Sequence, residues 1–379
     1  MTIQREVISS IASAEAFKED WERLLCICPQ ATVFDSFGWV QANLAAFPNS
    51  QTSILLLREL GAGLLGVIPL VVRRGRRYLR ERRWIEFAGQ PYADYASCLV
   101  LPGAENAVAC ELIDFCASTA ADWDGVFLDR FRADSTFVDC VSAAATKRRF
   151  AAVTGEDGRI RRLTKLDYEN NSAGDASSKS LKKARTRLAE HGAVSFEIFS
   201  HPDQIAPRLN TFFDWHVTRF AAKGLRSPLA EAPHREFYRQ MVALLAPQER
   251  IWLSVLSSAA QPVAMRLSPV FNRTVHLYST CFDASFSKYS PSMLHLQMLL
   301  EHAFRSGIDC IDFGLGESPQ KDFAGHGNSQ PLVTLEIYKD KLALLEQQSY
   351  QTAERVRSRS QIAARAGKAL RRIFPYDVR

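Results

Sequence analysis

VHLYSTCFDASFSKYSPSMLHLQMLLEHAFRSGIDCIDFGLGESPQKD, residues Val275–Asp322, is the stretch that decides the fold. Val275, Leu277 and Ser279 alternate with His276, Tyr278 and Thr280 over a β-rich run, which predicts a strand leading into a loop at Asp283–Tyr289. Ser290-Pro291 then starts a helix. Serine at the cap position can accept a bond from a first-turn amide, and proline at the first helical position gives up only an amide that has no partner there. Met293, Leu296, Leu300, Ala303 and Phe304 recur three or four apart, a buried stripe that Gly307 ends in a left-handed conformation. Ile308–Phe313 is short and largely apolar, a strand that stops at Gly314 and Gly316.

A strand, helix and strand of this length are expected to be parallel and right-handed, so the helix start and the second strand's end share one edge of the sheet. Free amides of Ser292 and Met293, with the helix's partial positive charge, suit a pyrophosphate at about 0.3–1 kcal/mol per anionic group. Asp312, Glu317 and Lys321 are expected around the same edge.

With Tyr278, Asp283, Ser290-Pro291, Asp312-Phe313, Gly316-Glu317 and Lys321 in this order, the stretch resembles the GNAT-superfamily branch of CelD-type acyltransferases from cellulose and exopolysaccharide operons. The FemAB-type peptidoglycan aminoacyltransferases are its more distant relatives. FDSFGWVQANLAAFP (34–48), GVIPLVV (66–72) and FAGQPYADYASCLV (87–100) resemble the branch's first half, so the likeness runs from roughly residue 30 to 340. It implies an α/β fold of tandem GNAT-like domains, with mixed, mainly antiparallel sheets flanked by helices.

The resemblance also implies roles. Backbone amides of the Tyr278–Phe282 strand would hold the pantetheine of an acyl-CoA and polarise its carbonyl, and the turn Ser290, Pro291, Ser292 and Met293 would hold the pyrophosphate. Glu317 or Asp312 is the candidate base, because a partly desolvated carboxylate is tuned upward toward neutral pH. Lys321 would meet developing negative charge or an acceptor carboxylate, and Tyr278 or Tyr289 would return a proton to the thiolate. Asp94-Tyr95 matches a dipeptide of the branch's first half. His216 and Arg219 lie on a helix where the branch carries an aromatic or histidine and then arginine. For the dipeptide and for His216, plain hydrogen bonding is the competing reading. Where the branch reads Gly-Asp-Glu-x-Tyr-Lys this chain has Gly316-Glu317-Ser318-Pro319-Gln320-Lys321, and Ser292 stands where glycine is frequent. FemAB-type use of aminoacyl-tRNA goes with a long helical hairpin, and no such heptad insertion is seen here, which favours acyl-CoA.

At 379 residues, 47% hydrophobic and 10% aromatic, the chain suits two globular domains, expected at 1–165 and 166–338, followed by a basic amphipathic helix at 339–379. Thr146–Arg162 reads as a linker. The net charge of +6 sits in the tail, where ten Lys/Arg face four Asp/Glu, leaving 37 of each sign elsewhere. That tail is expected to dock on the protein or to touch an anionic membrane surface. The polar N-terminus and the interruption of the longest apolar run by Gly66 and Pro69 point to a cytoplasmic protein with no spanning segment. Of eight cysteines only Cys26 and Cys28 are close, which is poor zinc spacing, and no metal is expected. Seven arginines between Arg73 and Arg83 would either grip an oxyanion or tip a solvated hairpin. They lack interleaved aromatics, so nucleic acid is not the expected partner.

No Gly-x-Ser-x-Gly elbow, Walker motif or paired-histidine metal motif occurs. The expected activity is transfer of an acyl group, in the first instance acetyl, from acyl-CoA to an amine or hydroxyl of a small molecule, sugar or envelope-polysaccharide precursor. The alternative is a catalytically idle GNAT-fold protein that binds partners in a polysaccharide-synthesis assembly.

Overall fold

Two strands carry the chain between two folding units. One, Ala151–Thr164, passes from the first unit to the second between Gly158 and Arg159; the other, Asn328–Tyr338, returns between Gln330 and Pro331. The first unit thus comprises residues 1–158 with 331–379, and the second 159–330. The structure is a computed structural model that describes residues 3–48, 51–61, 63–77, 80–171, 175–316, 328–346 and 348–349.

In the first unit, β1 (Ile3–Ile8), β2 (Gln51–Glu59), β3 (Leu64–Arg77) and β4 (Arg80–Phe87) form an antiparallel run. The short β5 (Leu99–Val100) joins β3. β6 (Gly125–Arg132) lies parallel to β4, with Trp84 opposite Gly125 and Ile85 opposite Val126. The returning strand Asn328–Tyr338, β14 in chain order, pairs antiparallel with β6. Two helices, α1 (Glu105–Ser118) and α2 (Thr136–Lys147), cover this sheet. On α1, Val108, Ala109, Leu112, Ile113 and Cys116 recur at helical spacing and pack with Leu55, Ile68, Ile85, Leu128 and Leu335 in one core. Each of the larger side chains there contributes about 1.5–3 kcal/mol by leaving water.

The second unit begins with the last part of β7 (Ala151–Thr164) and the basic helix α3 (Asp175–Ala189). A meander of β8 (Val194–Phe199), β9 (Ile251–Ser258) and β10 (Gln261–Phe271) is interrupted by helices α4 (Leu209–Ala221) and α5 (Ala232–Leu245). The β9–β10 turn has Ala259 and Ala260 at φ 51° and 60°, and the next turn has Asn272 and Arg273 at 46° and 54°, the paired positive values of a tight hairpin. Then follow β11 (Thr274–His276), β12 (Ser279–Phe282), α6 (Pro291–Arg305) and β13 (Cys310–Leu315). Strand order in this unit is β7-β13-β11-β10-β9-β8, with β12 on β10. β11 and β13 run parallel, as the sequence predicts. Gly307 ends α6 at φ 86°. The buried face of α6 carries Leu294, Leu299 and His295 besides the expected Leu296, Leu300, Ala303 and Phe304, whereas Met293 is half-buried.

The fold is therefore α/β with mixed, mainly antiparallel sheets flanked by helices, as expected. Three local expectations change. Thr146–Arg162, read as a linker, lies largely in a 14-residue strand whose middle is exposed, and the chain changes unit inside that strand. The chain changes unit at 158/159, seven residues before the expected 165/166. Leu332–Tyr338, assigned to the second domain by sequence, belongs to the first unit because it pairs with β6. Most of the expected C-terminal helix lies outside the described residues; 341–346 are helical.

Candidate functional site

The second unit's sheet opens at one point. β11 and β13 stay paired through Val275↔Ile311 and His276↔Asp312, and the Leu277 amide donates to the Asp312 carbonyl at 2.7 Å. Beyond that bond the strands part. Among the described residues β12 pairs with β10 alone, from Leu267↔Ser279 to Ala264↔Phe282. β13 bulges: Asp312 faces Arg162 and Leu315 faces Ile160, so Phe313 and Gly314 together oppose a single residue, and Gly314 takes φ 63°.

The apex of the opening is a buried charged cluster. Asp312, 1% exposed, accepts from the Gly314 amide at 2.8 Å through Oδ1; its Oδ2 lies 3.7 Å from Nδ1 of buried His276 and 3.9 Å from Nε of Arg162. This carboxylate holds the bulge and the divergence of the strands. His276 and Arg162 were not foreseen, because nothing in a strand's alternation marks which polar residue will meet another.

The open edge of β12 offers backbone groups. Asp283 donates its amide to Val263 of β10, so by antiparallel alternation Thr280 and Phe282 turn their amides and carbonyls the other way. Arg219 of α4 donates Nη1–H to the Thr280 carbonyl at 2.9 Å and lies 5.2 Å from the Phe282 ring centre, a cation–π distance. Burial pulls the pKa of Arg219 down. Arg266 on β10 is fully buried nearby, pushed down to about 9 by burial and then by Arg219. His295 of α6, wholly buried with Nε2 3.1 Å from the Ser254 carbonyl, is held at about 3 by burial and then by Arg266, so it is neutral and donates. Arg266 and His295 were also missed.

His216 lies 2.8 Å from the Ser227 hydroxyl through Nδ1 and stacks on Phe220 with ring centres 4.4 Å apart. Burial, then Arg219, pushes it down to about 4, which makes it a weak proton acceptor at neutral pH. The Tyr278 ring lies 6.0 Å from Tyr238.

At the foot of α6 the geometry departs from expectation. Ser290 is left-handed, φ 50° and ψ 49°, and its side chain makes no capping bond. A capping side chain needs extended backbone at that position, and the 3-10 turn Ala284–Tyr289 running straight into α6 removes it. Instead the Ser290 carbonyl accepts from the amides of Met293 at 3.0 Å and Leu294 at 3.1 Å, so the Met293 amide, expected to be open, is engaged. Pro291 is buried at the first helical position, with Ser292 and Met293 half-buried after it. Cations gather here: around Tyr289, the Arg187 guanidinium of α3 lies 5.5 Å and the Lys288 ammonium 5.0 Å from the ring centre, and His191 Nε2 is 2.5 Å from the phenol oxygen.

Glu317 and Lys321 lie outside the described residues. Asp94 and Tyr95 belong to the first unit, where Tyr95 is buried, packs 6.0 Å from Phe34 and has Arg132 5.4 Å over its ring. In the same unit Arg73 donates to the Gln90 carbonyl at 2.6 Å, Arg82 pairs with Glu346 at 3.1 Å and Arg83 with Asp124 at 3.4 Å, which draws three of the seven clustered arginines into the fold. Among the described residues no group of three His, Cys, Asp or Glu side chains is placed to hold a metal ion, and no helix is long and apolar enough to cross a membrane.

The first unit repeats the bulge. Leu128 opposes Leu335 and Phe131 opposes Val333, so Asp129 and Arg130 face one residue, and Arg130 takes φ 63°, the value of Gly314. There the strand edge is tied to its own chain: Arg130 donates Nη1–H to the carbonyls of Ala93 and Pro91, and its carbonyl accepts from the Ala96 amide.

Comparison with known proteins agrees with this geometry. No curated protein sequence matches the chain. Among solved structures, FemX aligns with 86% of this chain and 96% of its own at 10% identity and a TM-score of 0.58. The C-terminal domain of a putative lysylphosphatidylglycerol synthetase from Agrobacterium fabrum aligns with 89% and 95% at 14% identity and 0.54. L-PGS from Bacillus licheniformis aligns with 87% and 96% at 10% identity and 0.54. At these identities the likeness is one of fold. Residues 176–322, which hold the opening strands and α6, match the family model described as an acetyltransferase (GNAT) domain, and this part of the chain is a GNAT-superfamily domain.

Proposed function

We propose that the second unit transfers an acyl group from an acyl-CoA to an amine or hydroxyl acceptor, as a CelD-like enzyme acting on a sugar or cell-envelope precursor inside the cytoplasm. One observation carries the reading: β12 leaves β13 at His276–Asp312 and presents the backbone of Thr280 and Phe282 along an open edge, with cationic Arg187 and Lys288 at the foot of the adjoining helix. An extended pantetheine arm would complete that edge as a missing strand does, and the cations would take the donor's phosphates.

The chemistry needs no protein nucleophile. The acceptor's nitrogen or oxygen attacks the thioester carbonyl, the carbonyl oxygen gains charge against β12 amides, and the C–S bond breaks as the thiolate takes a proton. Glu317 or Asp312 is the proposed base, Lys321 the proposed partner of negative charge, and Tyr278 or Tyr289 the proposed proton donor to sulfur. His216 and Arg219 of the same unit are proposed to face the acceptor. In this scheme the first unit is a second GNAT-like half whose edge is closed by its own chain.

Acetyl-CoA at about a hundred times its Kd should stabilise the protein by about 2.7 kcal/mol, seen as a raised melting temperature. Glu317→Gln and Lys321→Ala should lower acetyl transfer while keeping that rise. Melting unchanged by saturating CoA thioesters, together with full cellular function of both variants, would leave the idle partner protein as the reading.

A further inference from the structure

A cavity in this unit lies along the C-terminal half of α6. It holds about 450 Å³ between α3, the edge strand β8 and the C-terminal half of α6, within the size range of small-molecule sites. Arg185 of α3, Phe196 of β8, and Met298, Glu301, His302 and Arg305 of α6 line it. The α6 residues that line it, Met298 to Arg305, begin about 8 Å beyond Met293 at 1.5 Å per residue, toward the opposite end of the helix from the proposed donor edge.

The charges in it are unevenly matched. Arg305 follows Glu301 by four residues, the spacing and order that favour an ion pair on a helix. Glu301, which also lines the cavity, accepts from Gln297 Nε2 at 3.1 Å and forms no salt bridge with Arg305. Among the described residues neither Arg185 nor Arg305 has a carboxylate within salt-bridge distance. His302 adds a ring and no charge, since burial holds it below its ordinary value; that ring lies 6.0 Å from Phe196 and 6.1 Å from Trp252. Two guanidinium forks thus approach one space from different elements, beside a floor of aromatic and thioether groups.

We propose that this cavity binds a small organic anion whose carboxylate or phosphate lies between Arg185 and Arg305 and whose flat apolar body lies on Phe196 and Met298. Guanidinium groups take such oxyanions in pairs of parallel bonds, and the apolar floor distinguishes an organic ligand from a bare ion.

Calorimetric titration of the full chain with benzoate, phenyl phosphate, inorganic phosphate and phenol tests the proposal and separates carboxylate from phosphate. At least one ring-bearing anion should bind with Kd of about 1 mM or tighter, about tenfold tighter than inorganic phosphate, and phenol should not bind. Arg185→Ala and Arg305→Ala should each weaken that binding at least about tenfold, and the lysine variants should recover only part of it, because lysine lacks the fork. Both arginines are exposed, so the alanine variants should keep the parent melting temperature. Saturating CoA should leave the titration unchanged. The proposal falls if none of the four probes binds up to about 10 mM, if the double alanine variant binds as the parent does, or if CoA displaces the anion.

Discussion

Removing the Asp312 carboxylate should loosen the second unit at the point where its strands part. Two losses add in Asp312→Ala. The Gly314 amide loses its 2.8 Å acceptor, which costs about 1–3 kcal/mol for a buried donor. Arg162 and His276 lose the anion that sits 3.9 and 3.7 Å away. Breaking a fully buried pair costs about 3–5 kcal/mol, but Arg162 keeps 28% of its side chain in contact with solvent, so that loss belongs at or below the low end. Together the alanine variant should lose about 3–5 kcal/mol. Asp312→Asn keeps an oxygen for Gly314 and should lose about 1–3 kcal/mol, the gap between the two being the worth of the bulge bond. Hydrogen exchange at pH 7 along a urea series, read on peptides of residues 159–330, reports this unit by itself. The acetyl-CoA rise in melting temperature should shrink in alanine and persist in asparagine. An alanine variant within about 0.5 kcal/mol of the parent, the size of an ordinary surface change, would refute the role given to this carboxylate.

Three titrating or strained positions and one packing contact give further tests. His216, held at about 4 against an ordinary value near 6.5, makes the folded state bind its proton later than the unfolded one. The second unit should therefore keep this stability above pH 6.5 and lose about 1.4 kcal/mol per pH unit from there down to about 4, a slope that His216→Gln reduces in acid unfolding curves. Asp35 behaves oppositely: burial raises it to about 7, so its contribution is full below its ordinary 3.8 and is lost as pH rises through 7. Asp35→Asn should flatten that decline in hydrogen exchange of the first unit. Ser290→Gly should stabilise by about 0.5–1 kcal/mol in urea unfolding, since glycine accepts φ 50° without strain and no capping bond is lost; a loss of stability would show the side chain caps after all. Gly125→Ala would put a Cβ 2.3 Å from the Trp84 ring and should cost about 1–3 kcal/mol by calorimetry.

What the sequence made legible was local. The β11–α6–β13 unit carries its punctuation within a few residues: a proline at the first turn, a stripe at helical spacing, a glycine at φ 86° to end it. The illegible parts depend on residues far apart in the chain. Arg162, His276 and Asp312 come from three strands, and no spacing rule joins them. β14 follows the second unit in sequence yet pairs with β6, about two hundred residues earlier, a non-local pairing that propensity does not encode. Ser290 shows the reverse failure. Its type and place fit a cap, and the preceding 3-10 turn overrode both.

The two bulges explain how one architecture serves two purposes. At φ 63° a residue with a Cβ pays about 1–2 kcal/mol that glycine does not. The second unit places Gly314 there, which leaves the strand end free of a side chain and its amide on Asp312. The first unit places Arg130 there and bears the strain, because the buried guanidinium then holds the carbonyls of Pro91 and Ala93 while the Arg130 carbonyl holds the Ala96 amide. Hydrogen bonds from a charged donor contribute about 1.5–3 kcal/mol each, enough to offset the backbone cost. Arginine at this position therefore fastens the 88–97 segment to β6 through its side chain, and glycine at the equivalent position of β13 has no side chain to do the same. The matched bulges thus differ in one residue type, a fastening arginine in the first unit and a glycine in the second, where the donor is proposed to bind.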